Sequence, residues 1–327
     1  MVVDAIRLLP ILLIAFAGVY CEEGQPKPGV RALLAPPFGL QIPIPEDSHQ
    51  EADRQFHSKL VAAARNCDPQ QFRDVLEANH NSINSRVQGG ETALTYAAWY
   101  GKTECLRLLL ESGADVNART HGNETALHYA LYNGSIMSVL ALLEAGADIE
   151  AVESARGYTP LMVSAGLGRW NETALLLELG VDENVRDFDG RTALMHAIRG
   201  GHPEVAQLLL SGYTETRDAF GETALFYSIR ARRFALAEAM LRHGHDPDIR
   251  NNLGETPLML AASRGNLAVV RLLLSYGANP ELLENTGRYD ALRIARSAGF
   301  TEVAALLDSP IRQRILRFSA IATRVWD

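Results

Sequence analysis

The chain has 327 residues and a formal net charge of −8, a balance that argues against a nucleic-acid partner. With 47% hydrophobic and 21% charged residues, its composition is ordinary for a globular protein and unlike that of a wholly disordered or fibrous one. Three Cys, at positions 21, 67 and 105, are too few for a disulfide scaffold.

Residues 1–17 contain the parts of a secretory signal. Arg7 marks a charged start, an apolar run follows, and Ala15-Phe16-Ala17 supplies a small-x-small cleavage site. The apolar run from Leu8 to Cys21 is 14 residues, short of the ~20 that a spanning helix needs. Asp4 offsets Arg7, so an uncleaved anchor stays open beside cleavage near Ala17. Tyr20 stands where lipidation of Cys21 would want a small residue. The expectation is a mature chain in the periplasm or secreted, without stable membrane insertion. Residues 18–55 hold Pro26, Pro28, Pro36, Pro37, Pro43 and Pro45 and keep no apolar period, which predicts a disordered leader.

From 56 to 308 one pattern recurs. Leu60, Leu94, Leu127, Leu161, Leu194, Leu225, Leu258 and Leu292 follow one another at intervals of 34, 33, 34, 33, 31, 33 and 34 residues. Seven residues after each Leu comes Cys67, Gly101, Gly134, Gly168, Gly201, Arg232, Gly265 or Gly299, mostly the Gly that a turn between two helices wants. Thr at the head of each first helix, as at Thr125, can cap free backbone N–H groups. The 31-residue interval and Arg232 in a Gly slot predict a local distortion of the stack between 211 and 235. After Ser309-Pro310, residues Ile311, Ile315, Phe318, Ala322 and Val325 fall on one helical face, with arginines mostly off it. Segment 309–327 therefore reads as a basic amphipathic helix, either capping the last repeat or lying on an anionic membrane.

Gly90-Glu91-Thr92-Ala93-Leu94, Gly157-Tyr158-Thr159-Pro160-Leu161 and Gly254-Glu255-Thr256-Pro257-Leu258, with closing loops such as Gly113-Ala114-Asp115-Val116-Asn117, resemble the ankyrin repeat signature. The resemblance covers roughly residues 56–308 and implies an all-α solenoid of about eight helix-turn-helix repeats, the first and last degenerate. It also implies a non-catalytic protein-binding module that uses its concave face, with no cofactor. Exported relatives of this kind look bacterial. Some are linked to catalase activity or haem handling, so a haem- or metal-handling accessory protein is one alternative; a toxin immunity protein is another.

In such a stack the outer positions of successive first helices align into one surface. Five residues after each Leu the ladder reads Arg65, Trp99, Tyr132, Gly166, Arg199, Arg230, Ser263 and Ser297. Two residues after each Leu it includes Tyr96, Tyr129, His196 and Tyr227, with Tyr100, Tyr158, Arg233 and Arg264 alongside. The expected partner-binding set is therefore Tyr96, Trp99, Tyr100, Tyr129, Tyr132, Tyr158, Arg199, Arg230, Arg233 and Arg264. Trp, Tyr and Arg dominate binding hot spots, and the arginines suit an acidic patch on the partner, with this chain acting as a monomer. The plainer account is that some Tyr pack between repeats and some Arg are merely solvated.

Other chemistry is weaker. Gly101-Lys102-Thr103 lacks the Gly a phosphate loop needs five residues earlier, where Tyr96 stands. His243, His245, Asp246 and Asp248 could bind a metal, yet His245 and Asp246 fill the slots of an ordinary closing loop, so no metal is expected. No catalytic constellation is placed by the sequence, and the chain is not expected to be an enzyme. Cys105 is either a small buried hydrophobe or the partner of Cys67.

Overall fold

The computed structural model describes residues 54–78, 83–87 and 89–308. The predicted signal 1–17, nearly all of the leader 18–55 and the predicted helix 309–327 lie outside the described residues. The described residues form sixteen helices and no strand. They divide into two compact units, one ending at Asp182 and the other starting at Glu183.

The first unit contains α1 (Arg54–Asn66), α2 (Pro69–Ala78), α3 (Ala93–Trp99), α4 (Thr103–Glu111), α5 (Ala126–Asn133), α6 (Ile136–Glu144), α7 (Pro160–Gly166) and α8 (Trp170–Glu178). The second contains α9 (Ala193–Gly200), α10 (Pro203–Leu209), α11 (Ala224–Arg230), α12 (Phe234–Arg242), α13 (Pro257–Ser263), α14 (Leu267–Ser275), α15 (Ala291–Ser297) and α16 (Thr301–Asp308). Within each unit, the first helix of a pair packs on the first helix of the next, and most second helices do likewise. That arrangement is the helix-turn-helix repeat stack read from the Leu period.

The helices start where Thr can cap them. Thr92 Oγ1 accepts from the Thr95 N–H at 3.4 Å while Thr95 Oγ1 accepts from the Thr92 N–H at 2.9 Å, closing a reciprocal box. Thr159 and Thr256 cap α7 and α13 in the same way, accepting from Met162 and Met259 at 3.3 Å each. First helices end on a left-handed residue, as at Gly134 (φ 79°) and Gly201 (φ 82°). The marker Leu side chains fill the space between repeats. Leu94, Leu127, Leu161, Leu194, Leu225 and Leu258 are buried, whereas Leu292, in the last described repeat, is only partly covered.

The predicted distortion near 211–235 does not occur at the turn. Arg232 adopts φ 57°, its N–H donates to the Ile229 carbonyl at 3.2 Å and the next N–H, of Arg233, donates to the Ser228 carbonyl at 2.8 Å. Gly201 and His202 make the matching pair of bonds to Ile198 and Ala197. Packing on the flanking helices over-determines the turn, so the non-Gly residue is held in a costly backbone region instead of changing the shape. The shortened closing loop is held by Asn184, which bonds the Gly212 carbonyl and the Thr214 N–H, and by Tyr213. The Tyr213 hydroxyl donates to the Thr216 carbonyl at 3.1 Å and accepts from the Thr216 and Ala224 N–H groups at 3.2 and 3.3 Å. Cys67, also in a Gly slot at φ 46°, is disulfide-bonded to Cys105 with Cα atoms 6.0 Å apart. The bond ties the turn after α1 to α4.

The loops that precede each first helix are stitched together by a row of arginines. Arg186 donates to the Arg217 carbonyl at 2.6 Å, Arg217 to the Arg250 carbonyl at 2.6 Å, and Arg250 to the Leu283 carbonyl. Arg86 bonds the Arg119 carbonyl in the first unit in the same manner.

Candidate binding face

In three repeats the slot two residues after the marker Leu is buried and faces an acid of the preceding loop, whereas Tyr96 is half-buried and Ala62 exposed. The Tyr129 hydroxyl donates to Glu124 at 3.1 Å, His196 Nε2 lies 2.8 Å from Asp187, and the Tyr227 hydroxyl donates to Asp218 at 2.7 Å while accepting from Arg191 at 3.0 Å. Each pair satisfies two buried polar groups that would otherwise cost the fold free energy. Burial pushes the Tyr129 and Tyr227 phenols upward, aided by Glu124 and Asp218 respectively. Burial raises the Glu124 carboxyl, against hydrogen bonds from Thr120 and Tyr129, and the nearby Glu153 and Glu91 add to the rise. At Asp187 burial also works against the charge, but the bonds from His196 and the Arg191 N–H win and hold the carboxyl below its usual range. Burial in turn lowers His196, which keeps its imidazole neutral.

The slot five residues after each Leu is the open one in most repeats, with Gly166 the buried exception. In the first unit, Trp99 and Tyr132 are half-buried, with ring centroids 6.3 Å apart at 67°. Tyr129 lies edge-on to both, at 5.7 Å from Trp99 and 6.2 Å from Tyr132. On α3 and its turn, Tyr96 stacks on Tyr100 at 6.5 Å, and the Arg65 guanidinium sits 5.2 Å over Tyr100. Edge-to-face geometry fixes ring orientation, so this cluster presents a preorganised apolar surface with few rotors left to freeze. Tyr129 and Tyr158, expected at the surface, are only 1% and 6% exposed. Tyr129 therefore supports the cluster from behind, and Tyr158 is enclosed beneath Arg156, whose guanidinium lies 5.9 Å from its ring. The reason is the helical position: the second-after-Leu slot faces the loop, and Tyr158 precedes the cap Thr159.

The arginines belong to the second unit. Arg199, Arg230 and Arg264 are exposed, and Arg230 bonds the buried Glu222 carboxylate, which burial raises and Arg230 pulls back. Arg233 differs from the others. Half-buried, it donates to the Gly201 carbonyl at 3.2 Å, so it latches one repeat to the one before. Arg169 makes the equivalent bond to the Tyr132 carbonyl in the first unit at 3.1 Å. The acids Glu124, Asp187 and Asp218 were not part of the expected site. Their signal is positional: each precedes its cap Thr by one to five residues, and the Tyr or His two after the marker Leu follows Glu124 by five residues and Asp187 and Asp218 by nine.

His245 lies 5.5 Å from the Tyr213 ring, and its Nδ1 is 3.6 Å from Glu215. Among the described residues no three of His, Cys, Asp and Glu converge as a metal ion would require, and no helix is long and apolar enough to cross a membrane.

The family described as ankyrin repeats (three copies) matches residues 60–153, 146–217, 161–251 and 211–284. The probable E3 ubiquitin-protein ligase XBOS33 of Oryza sativa subsp. japonica is 42% identical over 88 residues, which cover 24% of this chain and 17% of that protein. Ankyrin repeat domain-containing protein 63 of Homo sapiens is 39% identical over 93 residues, 27% of this chain and 24% of that one. Ankyrin repeat and KH domain-containing protein mask-1 of Caenorhabditis elegans is 33% identical over 165 residues, 49% of this chain and 5% of that one. The chain thus spans a quarter or less of each of these relatives, and each match falls within its repeat array.

Proposed function

The chain belongs to the ankyrin repeat family, whose repeats serve as protein-interaction modules, and from that premise we propose that it is a non-catalytic binding protein. It engages its partner through the open slots of the first helices. The observation that carries this reading is the cluster of Trp99 and Tyr132 held edge-to-face, half-open and backed by Tyr129. Nothing in the repeat stack requires two large aromatics in that slot, since Gly166 and Ser263 fill it elsewhere. In the second unit, Arg199 and Arg230 suit an acidic patch on a partner. The experiment is isothermal calorimetry against the polypeptide captured by the mature chain. Trp99→Ala should cost at least ~2 kcal/mol of binding if it is a hot spot, with melting unchanged. Arg230→Ala should weaken binding in a salt-dependent way, which the Trp change should not. Wild-type affinity in both variants would refute the assignment.

The proposed setting is extracytoplasmic, periplasmic or secreted. The signal-like features of residues 1–17 support it, and so does the Cys67–Cys105 disulfide, a bond that reducing cytosol disfavours. Intact-mass measurement of the protein recovered outside the cytoplasm tests it: a mass corresponding to cleavage near Ala17 is expected, and a full-length chain in the membrane fraction would overturn it.

A further inference from the structure

The second unit carries a feature away from the open helix slots. At the tips of three successive loops, Phe188, Phe220 and Leu253 are 68%, 62% and 66% exposed. The tips are bonded in register by their backbones. The Ala219 N–H donates to the Asp189 carbonyl at 2.7 Å, Asn252 to Phe220 at 2.9 Å, and Asn285 to Leu253 at 3.0 Å. Equivalent bonds in the first unit run to Gly89 and Gly122, which have no side chain; the matching acceptors here are Asp189, Phe220 and Leu253, so Phe188 stands one residue ahead of the other two tips. The repeat fold therefore does not demand apolar tips, and large exposed apolar side chains in a row mark interaction sites. Beside the row run Arg186, Arg217 and Arg250. Their guanidiniums are already immobilised on the carbonyls of the next loop. None of the three meets a carboxylate within salt-bridge distance among the described residues. The loop acids are taken: Asp187 by His196, Asp218 by Tyr227, and Asp189 by Arg191.

We propose that this ridge docks an extended, acidic segment of a partner protein that offers an apolar side chain at every third residue. Packed helices in successive repeats stand ~8–10 Å apart. A chain in the extended polyproline II conformation covers ~9 Å in three residues and returns every third side chain to the same face. A segment laid along the ridge thus brings one apolar side chain to each tip. The residues between them face the arginines, whose planar forks match carboxylates and lose little freedom because they are prefixed. A lipid surface is the other occupant such residues could take. It is disfavoured because a bilayer meets the whole molecule, with its net charge of −8, whereas a single segment meets only the arginine row.

The test uses the full chain and three fluorescent twelve-residue peptides that repeat Leu-Asp-Asp, Leu-Asn-Asn or Leu-Lys-Lys, read by anisotropy. The Asp peptide should bind at least tenfold tighter than the Asn peptide, the Lys peptide should not bind, and rising salt should erode the difference. Combined replacement of Phe188, Phe220 and Leu253 by Ser should lower Asp-peptide affinity at least tenfold, while Trp99→Ala should leave it unchanged. That contrast separates this surface from the helix-slot face. Should the triple variant melt early, Leu253→Ser alone, a change at an exposed tip, should still lower affinity about threefold. Equal binding of the three peptides, or wild-type affinity in the tip variants, overturns the proposal. So does tip-dependent sedimentation with vesicles of phosphatidylserine and phosphatidylcholine when the Asp peptide fails to bind.

Discussion

His128 gives the sharpest test of how these repeats are built. It is fully buried. Its Nδ1 accepts from the Thr125 N–H at 3.2 Å, and Nε2 donates to the Tyr158 carbonyl, 3.4 Å away. A proton on Nδ1 would place two donors face to face and open the cap of α5. Burial, partly opposed by the Tyr158 carbonyl bond, accordingly lowers the imidazole from 6.5 to about 4. Between those values the unfolded chain holds a proton that the folded chain refuses. Stability therefore rises with pH across this window: the contribution is complete above about 6.5 and is lost as pH falls toward 4. At ~1.4 kcal/mol per pH unit, the gap amounts to about 3 kcal/mol. Urea denaturation at pH 7, 5.5 and 4, compared between wild type and His128→Gln, isolates it. Gln can close the same capping box without titrating. Burial raises Glu124, Glu172 and Glu222, so these acids favour folding more as pH falls, but they act in both proteins and cancel in the difference. Wild type should lose about 3 kcal/mol relative to the variant between pH 7 and 4. A difference that stays flat with pH would refute the cap-and-burial account.

Leu194→Ala should cost ~2–5 kcal/mol of stability in denaturant melts, because the side chain is 1% exposed and the cavity is bounded by packed helices. Reducing the Cys67–Cys105 bond, which links residues 38 apart, should destabilise the first repeat by up to ~4 kcal/mol, visible as faster proteolysis within α1 and α2. Hydrogen exchange should be faster around 211–235 than around 94–145, because Arg232 is held at φ 57° and the closing loop there is shortened. Equal protection in the two regions would show that the strain is fully compensated.

Most of the stack is legible in the sequence because its rule is one-dimensional. Each marker Leu has the same neighbours in every repeat, so its spacing alone implies burial. The same logic explains why Asn123, in a Gly slot, takes φ 64° without trouble, since Asn tolerates that region. It is less informative where neighbours impose a geometry on an unsuited residue. Arg232 predicts distortion on its own, but packing on both sides restores the turn. Period is also silent on direction. It groups Tyr96 and Tyr129 two residues after their Leu, yet Tyr96 stays half-open and stacks on Tyr100, while Tyr129 is buried and turns to Glu124.

The two kinds of slot then divide the work of the fold. The second-after-Leu position in three repeats is committed to loop acids: Tyr129 to Glu124, His196 to Asp187 and Tyr227 to Asp218. A change there exposes or orphans a buried charge and is felt as lost stability. The fifth-after-Leu position varies more widely: it holds Gly166 and Ser263 as well as Trp99 and Tyr132, and Arg230 there bonds the loop acid Glu222. Its residue type is therefore less closely prescribed by the repeat than that of the marker Leu. Selection for binding can act on this slot without disturbing the core.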